Sequence, residues 1–233
     1  MKKIYSEIIQ SLSDLALPRN CLVCHVFLTP NEKDICRRCL LCLSYTDHFE
    51  HQNNSLYNQI RLLSTIEHAG ALFYFQKEGV LAKLIHQMKY KKQHQIADYF
   101  GQWIGQSLCQ SSYFNSIAGL IPVPLHPKRQ RERGYNQAEL IARAIGNVVQ
   151  KPVYTQWVRR VINTPPLALD KQNNRWKIIQ NAFELGILLP EKQGHFVLID
   201  DVVTTGAILT ACARALLTHP KIKLSIAVVG YRF

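Results

Sequence analysis

The sequence predicts an α/β protein in which helices cover both faces of a mostly parallel sheet. From residue 69 onward, apolar strand-like segments alternate with segments of helical periodicity. The composition of the 233 residues, 47% hydrophobic and 19% charged, excludes wholesale disorder. Sheets of this kind bind ligands beyond the carboxyl ends of their strands, so candidate sites are expected in the segments that follow strands.

The elements follow from the pattern of apolar residues. Strands are predicted over 69–75, 116–125, 152–158, 195–200 and 223–231. Apolar faces at helical spacing predict helices over 78–90, 94–109, 135–149 and 206–218, and a short helix over 4–15 that ends before Pro18. Segment 159–175 has no clean periodicity and contains Pro165 and Pro166, so we expect a long loop there.

The cysteines predict a small metal-bound domain near the N-terminus. Cys21 and Cys24 form one C-x-x-C pair, and Cys36 and Cys39 form a second. Two such pairs can offer four thiolates to one tetrahedral Zn²⁺, and a site of this type is structural because no coordination position stays open. Cys42 repeats the spacing, so it remains an alternative to Cys39 as the fourth ligand.

These patterns divide the chain into three parts. Residues 1–46 are expected to hold the short helix and the zinc module, 47–68 a polar linker, and 69–233 the α/β domain. No run approaches the roughly 20 apolar residues of a membrane span, and the polar residues after Lys2 and Lys3 are unlike a secretory signal. We therefore expect a cytoplasmic protein that is not integral to the membrane, with peripheral contact to the inner membrane face left open.

The net charge of +12 predicts an anionic partner. The excess lies in three segments, 83–92, 128–133 and 151–177, whereas residues 1–50 are balanced. A single basic run is as often a solvated surface as a binding site. Three runs that carry the whole excess favour an anion site.

The segment Phe196–Ala207 carries the most specific pattern. Four apolar residues lead to Asp200 and Asp201, and Thr204, Thr205 and Gly206 follow where a helix begins. Free N–H groups at a helix start bind anions, and glycine permits close approach. The two acids suit hydroxyl groups or a metal on the same ligand. The combination predicts a sugar phosphate site, since helix capping alone would explain only one of these five residues.

This segment resembles the phosphoribosyl pyrophosphate (PRPP) signature of type I phosphoribosyltransferases. Pro122–Leu125 followed by basic residues, the sequence RGYNQA at 133–138, and the four-cysteine module resemble the competence protein F (ComF) family over nearly the whole chain. The resemblance implies a type I phosphoribosyltransferase fold with an N-terminal zinc ribbon. Leu167 and Ile178 stand where the family has Gln and Asn.

The resemblance also implies three PRPP-binding loops. In the first, Asp200 and Asp201 hold the ribose hydroxyls, and the 5′-phosphate lies on Thr204, Thr205 and Gly206, with Val202, Val203 and Ala207 completing the loop. A second loop lies against the pyrophosphate and consists of Val123, Pro124, Leu125 and His126. A flexible third loop offers Arg159, Arg160 and Arg175. Mg²⁺ accompanies PRPP, and no residue stands out as a general base.

The function implied by the resemblance is a PRPP-binding protein of natural transformation and DNA uptake. It would contact incoming single-stranded DNA in the cytoplasm, alongside other DNA-uptake proteins. The candidate nucleic-acid contacts are Lys89, Lys91, Lys92, Lys128, Arg129, Arg131 and Arg133, with Tyr90, Tyr135, Trp157 and Trp176 as aromatic neighbours. Two alternatives stay open: a metabolic phosphoribosyltransferase acting on a base or amine, and a PRPP sensor without turnover.

Overall fold

A computed structural model describes residues 19–163, 179–187, 191 and 193–233. The helix expected over 4–15, as well as Arg175 and Trp176, lies outside these residues. Among the residues described, no helix has both the length and the apolar character that crossing a bilayer requires.

A four-stranded parallel sheet forms the centre of the protein. Its strands are β1 (Ala69–Tyr74), β2 (Ile117–Pro122), β5 (Gly194–Val203) and β6 (Ile222–Tyr231), in the spatial order β1-β6-β5-β2. A separate antiparallel hairpin joins β3 (Val158–Arg160) to β4 (Phe183–Leu185). The central strands β5 and β6 are mostly buried, because helices cover both faces of the sheet. The predicted α/β class is confirmed.

Seven α-helices lie in the described part of the chain. They are α1 (Arg37–Leu41), α2 (Ser55–Arg61), α3 (Val80–Tyr90), α4 (Gln95–Gln110), α5 (Pro127–Arg133), α6 (Gln137–Val149) and α7 (Ala207–Leu217). The sequence predicted α3, α4, α6 and α7 within two residues at each end, because each presents a regular apolar face.

The two faces of the sheet carry separate apolar cores. One core contains buried residues of α3, α4 and α6, together with the cysteine module. There α4 and α6 approach closely, since a Cβ on Gly101 would lie 2.3 Å from the Cβ of Ala144. The other core is formed by α2, α7 and the β3–β4 hairpin. The two cores together hold the carboxyl ends of β2, β5 and β6 in place, and these strand ends form the rim where the candidate site lies.

The cysteine module and the segment after it pack directly on this domain. Val23 and Ile35 are buried in the same core as residues of α3 and α4, and the Gln87 amide donates to the carbonyl oxygen of Leu22. Within 47–68, the segment expected to be a linker, α2 buries Leu56 and Ile60 completely. The connection between module and sheet is therefore made through packed apolar side chains.

One predicted strand and one helix that was not predicted differ between the sequence pattern and the structure. The strand predicted over 152–158 is reduced to one parallel bridge, between Val153 and Leu120. A turn at 155–156 then directs the chain away from the sheet, and β3 begins at Val158. Helix α5 was not predicted, because its seven residues are all polar apart from Pro127 and show no apolar periodicity.

Candidate functional site

The two acids lie at the carboxyl end of the central strand β5. This strand continues to Val203, so Asp200 and Asp201 lie within its last four residues and not in the loop after it. Backbone N–H groups hold one oxygen of each carboxylate: Asp201 N donates to Asp200 Oδ1 at 2.8 Å, and Val202 N donates to Asp201 Oδ1 at 2.7 Å. The acids therefore have fixed orientations at the rim of the sheet.

Burial gives Asp200 an unusual protonation equilibrium. Desolvation, and secondly repulsion from Asp201, raises the pKa of Asp200 to about 7, against the opposing effect of Lys89 and Arg160. This carboxyl group consequently changes charge close to neutral pH. A ligand that donates hydroxyl groups would favour the ionised form, because a carboxylate accepts hydrogen bonds through both oxygens.

Lys89, at the end of α3, makes an ion pair with Asp201. Its Nζ lies 2.7 Å from Asp201 Oδ2, and both side chains are largely buried, with exposed fractions of 23% and 11%. The sequence had placed Lys89 among the candidate DNA contacts. Its ammonium group instead lies at the acidic pair.

The predicted phosphate loop joins β5 to α7. Thr204 and Thr205 are exposed, and Gly206 adopts the left-handed conformation at φ 73°. Thr205 Oγ1 accepts from Ala207 N at 3.5 Å, at the first turn of α7. Exposed hydroxyls beside a helix N-terminus are donors suited to a phosphate group.

Helix α2 forms one wall of this loop. The Gln59 amide donates to the Thr204 carbonyl at 3.4 Å, and a Cβ on Gly206 would lie 2.8 Å from Ile60 Cδ1. Gln59 is a site residue that no motif in the sequence indicates. Its only local signal is a polar segment rich in Asn and Gln, which does not indicate a contact 145 residues away.

The loop predicted to face the pyrophosphate follows β2, the neighbour of β5. Val123 N donates to the Ile199 carbonyl at 2.9 Å, which sets this loop beside the acidic pair. On its other side, the Val123 carbonyl accepts from Asn136 Nδ2 at 3.0 Å. His126 caps α5, because its Nδ1 accepts from Lys128 N at 3.2 Å. Pro124, Leu125 and His126 are partly exposed at this rim.

The segment RGYNQA connects this loop to the end of α3. Arg133 stacks on the Tyr90 ring at 5.2 Å and donates to Gln137 at 2.9 Å, and the Tyr135 hydroxyl donates to the Met88 carbonyl. Asn136 caps α6 through Ala138 N at 3.1 Å. The segment thus holds α3, α5 and α6 together around the site.

The arginines of the third predicted loop differ in position. Arg160 is buried on β3, where burial lowers its pKa and Arg129 and Asp200 are the charges that act on it. Arg159 points outward and pairs with Glu184 at 2.8 Å across the hairpin. Arg160 is therefore the arginine of this pair that belongs to the electrostatic environment of the acids.

The remaining basic residues form an exposed surface next to the site. Lys91, Lys92, Lys128 and Arg131 are exposed, and Tyr90 is 61% exposed between them and Arg133. Of the aromatic residues considered for base stacking, Trp157 is only 6% exposed and packs against Tyr154 and Phe196. Its expected role as a stacking platform is wrong, because the ring fills the core beneath β5.

Four cysteines of the described chain converge in the N-terminal module. The sulfur atoms of Cys21, Cys24, Cys36 and Cys39 all lie within 4.8 Å of one another, so they could hold a metal ion such as zinc. Cys42 is exposed and is not one of these four cysteines, so Cys39 is the candidate for the fourth position.

The backbone around the cluster supports a thiolate. Burial opposes ionisation of Cys21, but N–H groups of Cys36 and Val23 point at its sulfur, and such donation lowers its pKa to about 7. N–H donors of this kind also stabilise a metal-bound thiolate, although burial raises the pKa values of Cys36 and Cys39 in the same cluster.

The acidic pair offers Mg²⁺ suitable donor atoms, but most of these oxygens already accept hydrogen bonds or pair with Lys89. Carboxylate oxygens are the ligands that Mg²⁺ takes. Three of the four oxygens of Asp200 and Asp201 already accept from two backbone N–H groups and from Lys89.

Comparison with known proteins gives relatives of two kinds. The chain is 29% identical over 145 residues to DNA utilization protein YhgH of Escherichia coli K12, 35% over 98 residues to Competence protein F of Haemophilus influenzae, and 33% over 102 residues to Competence protein ComFC of Bacillus subtilis. These matches cover 60%, 42% and 44% of this chain and 62%, 43% and 39% of the relatives. The chain thus spans about three fifths of the length of the YhgH proteins that it matches.

No protein-family model matches the chain. The relatives nevertheless carry the names expected from the RGYNQA segment and the cysteine module. The chain is therefore similar in sequence to proteins named competence protein F, ComFC and DNA utilization protein, and the first two carry the family name that its motifs indicated.

Proposed function

We propose that this protein acts in competence and DNA uptake, and that it binds PRPP at the carboxyl end of β5. The names of its relatives, DNA utilization protein and competence protein, support the first part. The observation that carries the second part is the order of groups along the end of β5 and the loop that follows it. Two oriented acids are followed by two exposed threonines and a left-handed glycine at the start of α7.

The charges around this loop support a ligand with both hydroxyl and phosphate groups. The ribose hydroxyls would donate to Asp200 and Asp201, and the 5′-phosphate would accept from Thr204, Thr205 and the first N–H groups of α7. The diphosphate would lie toward Val123–His126 and Arg160, where the local charge is positive.

The same rim supports a contact with single-stranded DNA. Lys91 and Lys92 are exposed after the end of α3, Lys128 and Arg131 are exposed on α5, and the exposed Tyr90 ring contacts Arg133 of α5. Lysine and arginine neutralise phosphates, and an aromatic ring stacks on bases without selecting their sequence. The chain would then bind the strand and PRPP on neighbouring surfaces.

Calorimetry with PRPP and MgCl₂ tests the ligand. We expect saturable binding to the wild type and none to the double variant Asp200→Ala/Asp201→Ala. Asp47→Ala, which removes an exposed acid outside the loop, serves as the control and should bind normally. Equal affinity of the wild type and the double variant would refute the proposed site.

A salt titration tests the DNA contact. Binding of a fluorescent oligonucleotide should weaken as salt rises, and the slope of log K against log salt should fall by about 0.7 for each lysine that contacts a phosphate. Lys91→Ala/Lys92→Ala should reduce this slope. Lys221→Ala/Lys223→Ala should not, because these exposed lysines lie at the amino end of β6, on the opposite edge of the sheet. No binding at low salt would exclude the DNA contact.

A further inference from the structure

We infer that Lys89 is the built-in counter-ion of the acidic pair: its ammonium group occupies the cation position beside Asp200 and Asp201. The pair would then receive the hydroxyl groups of a ligand without a metal ion of its own. The binding of ligand hydroxyl groups by the pair rests on the proposed function, whereas the place of the Lys89 ammonium group does not.

The geometry of the ion pair carries the inference. Lys89 Nζ lies 2.7 Å from Asp201 Oδ2, a short, charge-assisted contact, and the two side chains are only 23% and 11% exposed. Lys89 also acts on the neighbouring acid, because its charge lowers the pKa of Asp200 against the effect of burial. The ammonium group is thus shared electrostatically by both carboxyls.

The position of Lys89 is fixed by its neighbours on α3. Met88, the preceding residue, is fully buried, and its carbonyl accepts from the Tyr135 hydroxyl. Tyr90, the following residue, is stacked on Arg133, which also donates to the Tyr90 hydroxyl at 3.3 Å. These contacts fix the helix backbone on both sides of Lys89, so its side chain extends toward the acidic pair from a defined position.

The ammonium group makes the pair a poor metal site. A divalent cation on Asp201 would lie within a few ångströms of a positive charge in a partly buried environment, where repulsion is strong. It would also compete for Asp201 Oδ2, the oxygen that Lys89 holds. Mg²⁺ that arrives with PRPP is therefore expected to keep the diphosphate as its ligand, with the pair reserved for hydroxyl groups.

Binding of Mn²⁺ alone, followed by electron paramagnetic resonance without PRPP, tests the cation position. Lys89→Met should bind Mn²⁺ at least about tenfold more tightly than the wild type, because it removes a repulsive charge and frees a carboxylate oxygen. Lys89→Arg should behave as the wild type, since it keeps the charge. Lys83→Met, an exposed lysine on the same helix, should also leave Mn²⁺ binding unchanged. The cysteine cluster is common to all four proteins, so any Mn²⁺ that it takes cancels in the comparison.

Two further variants make the result decisive. Lys89→Met/Asp201→Asn should lose the added Mn²⁺ affinity, which assigns it to the pair. Lys89→Gln replaces Lys89→Met if circular dichroism shows that the methionine variant does not fold. Equal Mn²⁺ affinity of the wild type and the folded neutral variant overturns the inference, as does a gain that persists in the double variant.

Titration with PRPP then separates this inference from the proposed function. Lys89→Met should bind PRPP more weakly than Lys89→Arg, because Asp201 loses the contact that orients it. If the wild type binds no PRPP, the proposed ligand is refuted. The Mn²⁺ measurements still decide whether Lys89 occupies the cation position.

Discussion

The side-chain amide of Gln59 donates to the backbone carbonyl of Thr204 at 3.4 Å, so α2 contacts the loop between β5 and α7 directly. The next residue, Ile60, is fully buried and packs against Gly206 in the same loop. Through Asn54, which caps α2 and donates to the Ala69 carbonyl at 2.9 Å, this helix is also tied to β1. The conformation of the candidate phosphate loop therefore depends on the segment between the cysteine module and the sheet.

Gly206→Ala should destabilise the protein more than Gly134→Ala. Both glycines have positive φ, 73° and 84°, so both substitutions introduce backbone strain of about 1 kcal/mol. Only at Gly206 does a Cβ also meet another side chain, 2.8 Å from Ile60 Cδ1, whereas no atom lies within 4 Å of a Cβ at Gly134. We expect losses of about 2–4 kcal/mol and about 1 kcal/mol, measured by urea unfolding. Equal losses would contradict the prediction and would mean that Ile60 of α2 moves to make room for the added methyl group.

Asp200→Asn should stabilise the ligand-free protein while it weakens PRPP binding. The raised pKa of Asp200, about 7 against 3.8 for an ordinary aspartate, means that the folded state holds a proton which the unfolded state releases. Stability from this group is complete below pH 3.8 and is lost as the pH rises to about 7. The gain from the neutral asparagine should reach on the order of 4 kcal/mol above pH 7 and shrink toward pH 4.

Thermal unfolding at pH 8 and pH 5 measures this difference. Asp201→Asn is the matched control, because it removes a charge that is paired with Lys89 and so should not stabilise the protein. If both variants gained the same stability, the destabilising buried charge could not be assigned to Asp200.

His48 should make the protein less stable at mildly acid pH. Burial lowers the pKa of His48 from 6.5 to about 4, with the ring lying between Tyr74 and Tyr231. Between pH 6.5 and 4 the unfolded chain binds a proton on His48 and the folded state does not. The stability that is present above pH 6.5 is therefore lost as the pH falls toward 4. The loss should be on the order of 3 kcal/mol.

Urea unfolding between pH 7 and pH 4 measures the slope. His48→Gln should flatten it, although His68 and His195, whose pKa values burial also lowers, keep part of it. His51→Gln, at an exposed histidine, should leave the slope unchanged. The hypothesis fails if the two variants show the same pH dependence.

Removal of metal from the cysteine cluster should destabilise the whole domain. Val23, Ile35 and Leu43 lie between the cysteines and α3–α4 in one continuous core, so loss of the module exposes apolar surface of the larger domain. Cys39→Ser should lower the zinc content and the melting temperature, measured by atomic emission and calorimetry. Cys42→Ser should change neither, because Cys42 lies outside the cluster. A chelator that leaves the wild-type melting temperature unaltered would argue against a structural metal.

Elements with a regular apolar pattern could be predicted from the sequence, and elements without one could not. Strands β5 and β6 are apolar because helices cover both of their faces, and α3, α4, α6 and α7 each have one buried stripe. Helix α5 has no buried residue, so only its caps could have revealed it: Pro127 at its first turn and Gly134 at its end. The β3–β4 hairpin pairs three-residue strands far apart in the chain, which leaves no local pattern.

The site shows the same division. The acids at the end of β5 and the threonines of the loop after it are close in the chain, so their spacing alone indicated an anion site. The partner of Asp201 is 112 residues away, and a run of lysines gives no sign of which one turns inward. Lys89 does so because helical geometry sets it on the face of buried Ile85, four residues earlier, while Lys91 and Lys92 follow the last turn of α3 and remain exposed.

The order of strands in the sheet has a consequence for how the protein is made. β1 and β5 do not touch each other, because β6 lies between them, and β6 follows both in the chain. During synthesis, roughly 150 more residues are added after β1 before β6 is made, and β6 is the strand that joins β1 and the cysteine module to the acids. At about 5–20 residues per second, the ribosome exposes an incomplete sheet edge for many seconds. We expect folding to finish only after β6 has been released, with high contact order and a corresponding need for protection while the edge is open.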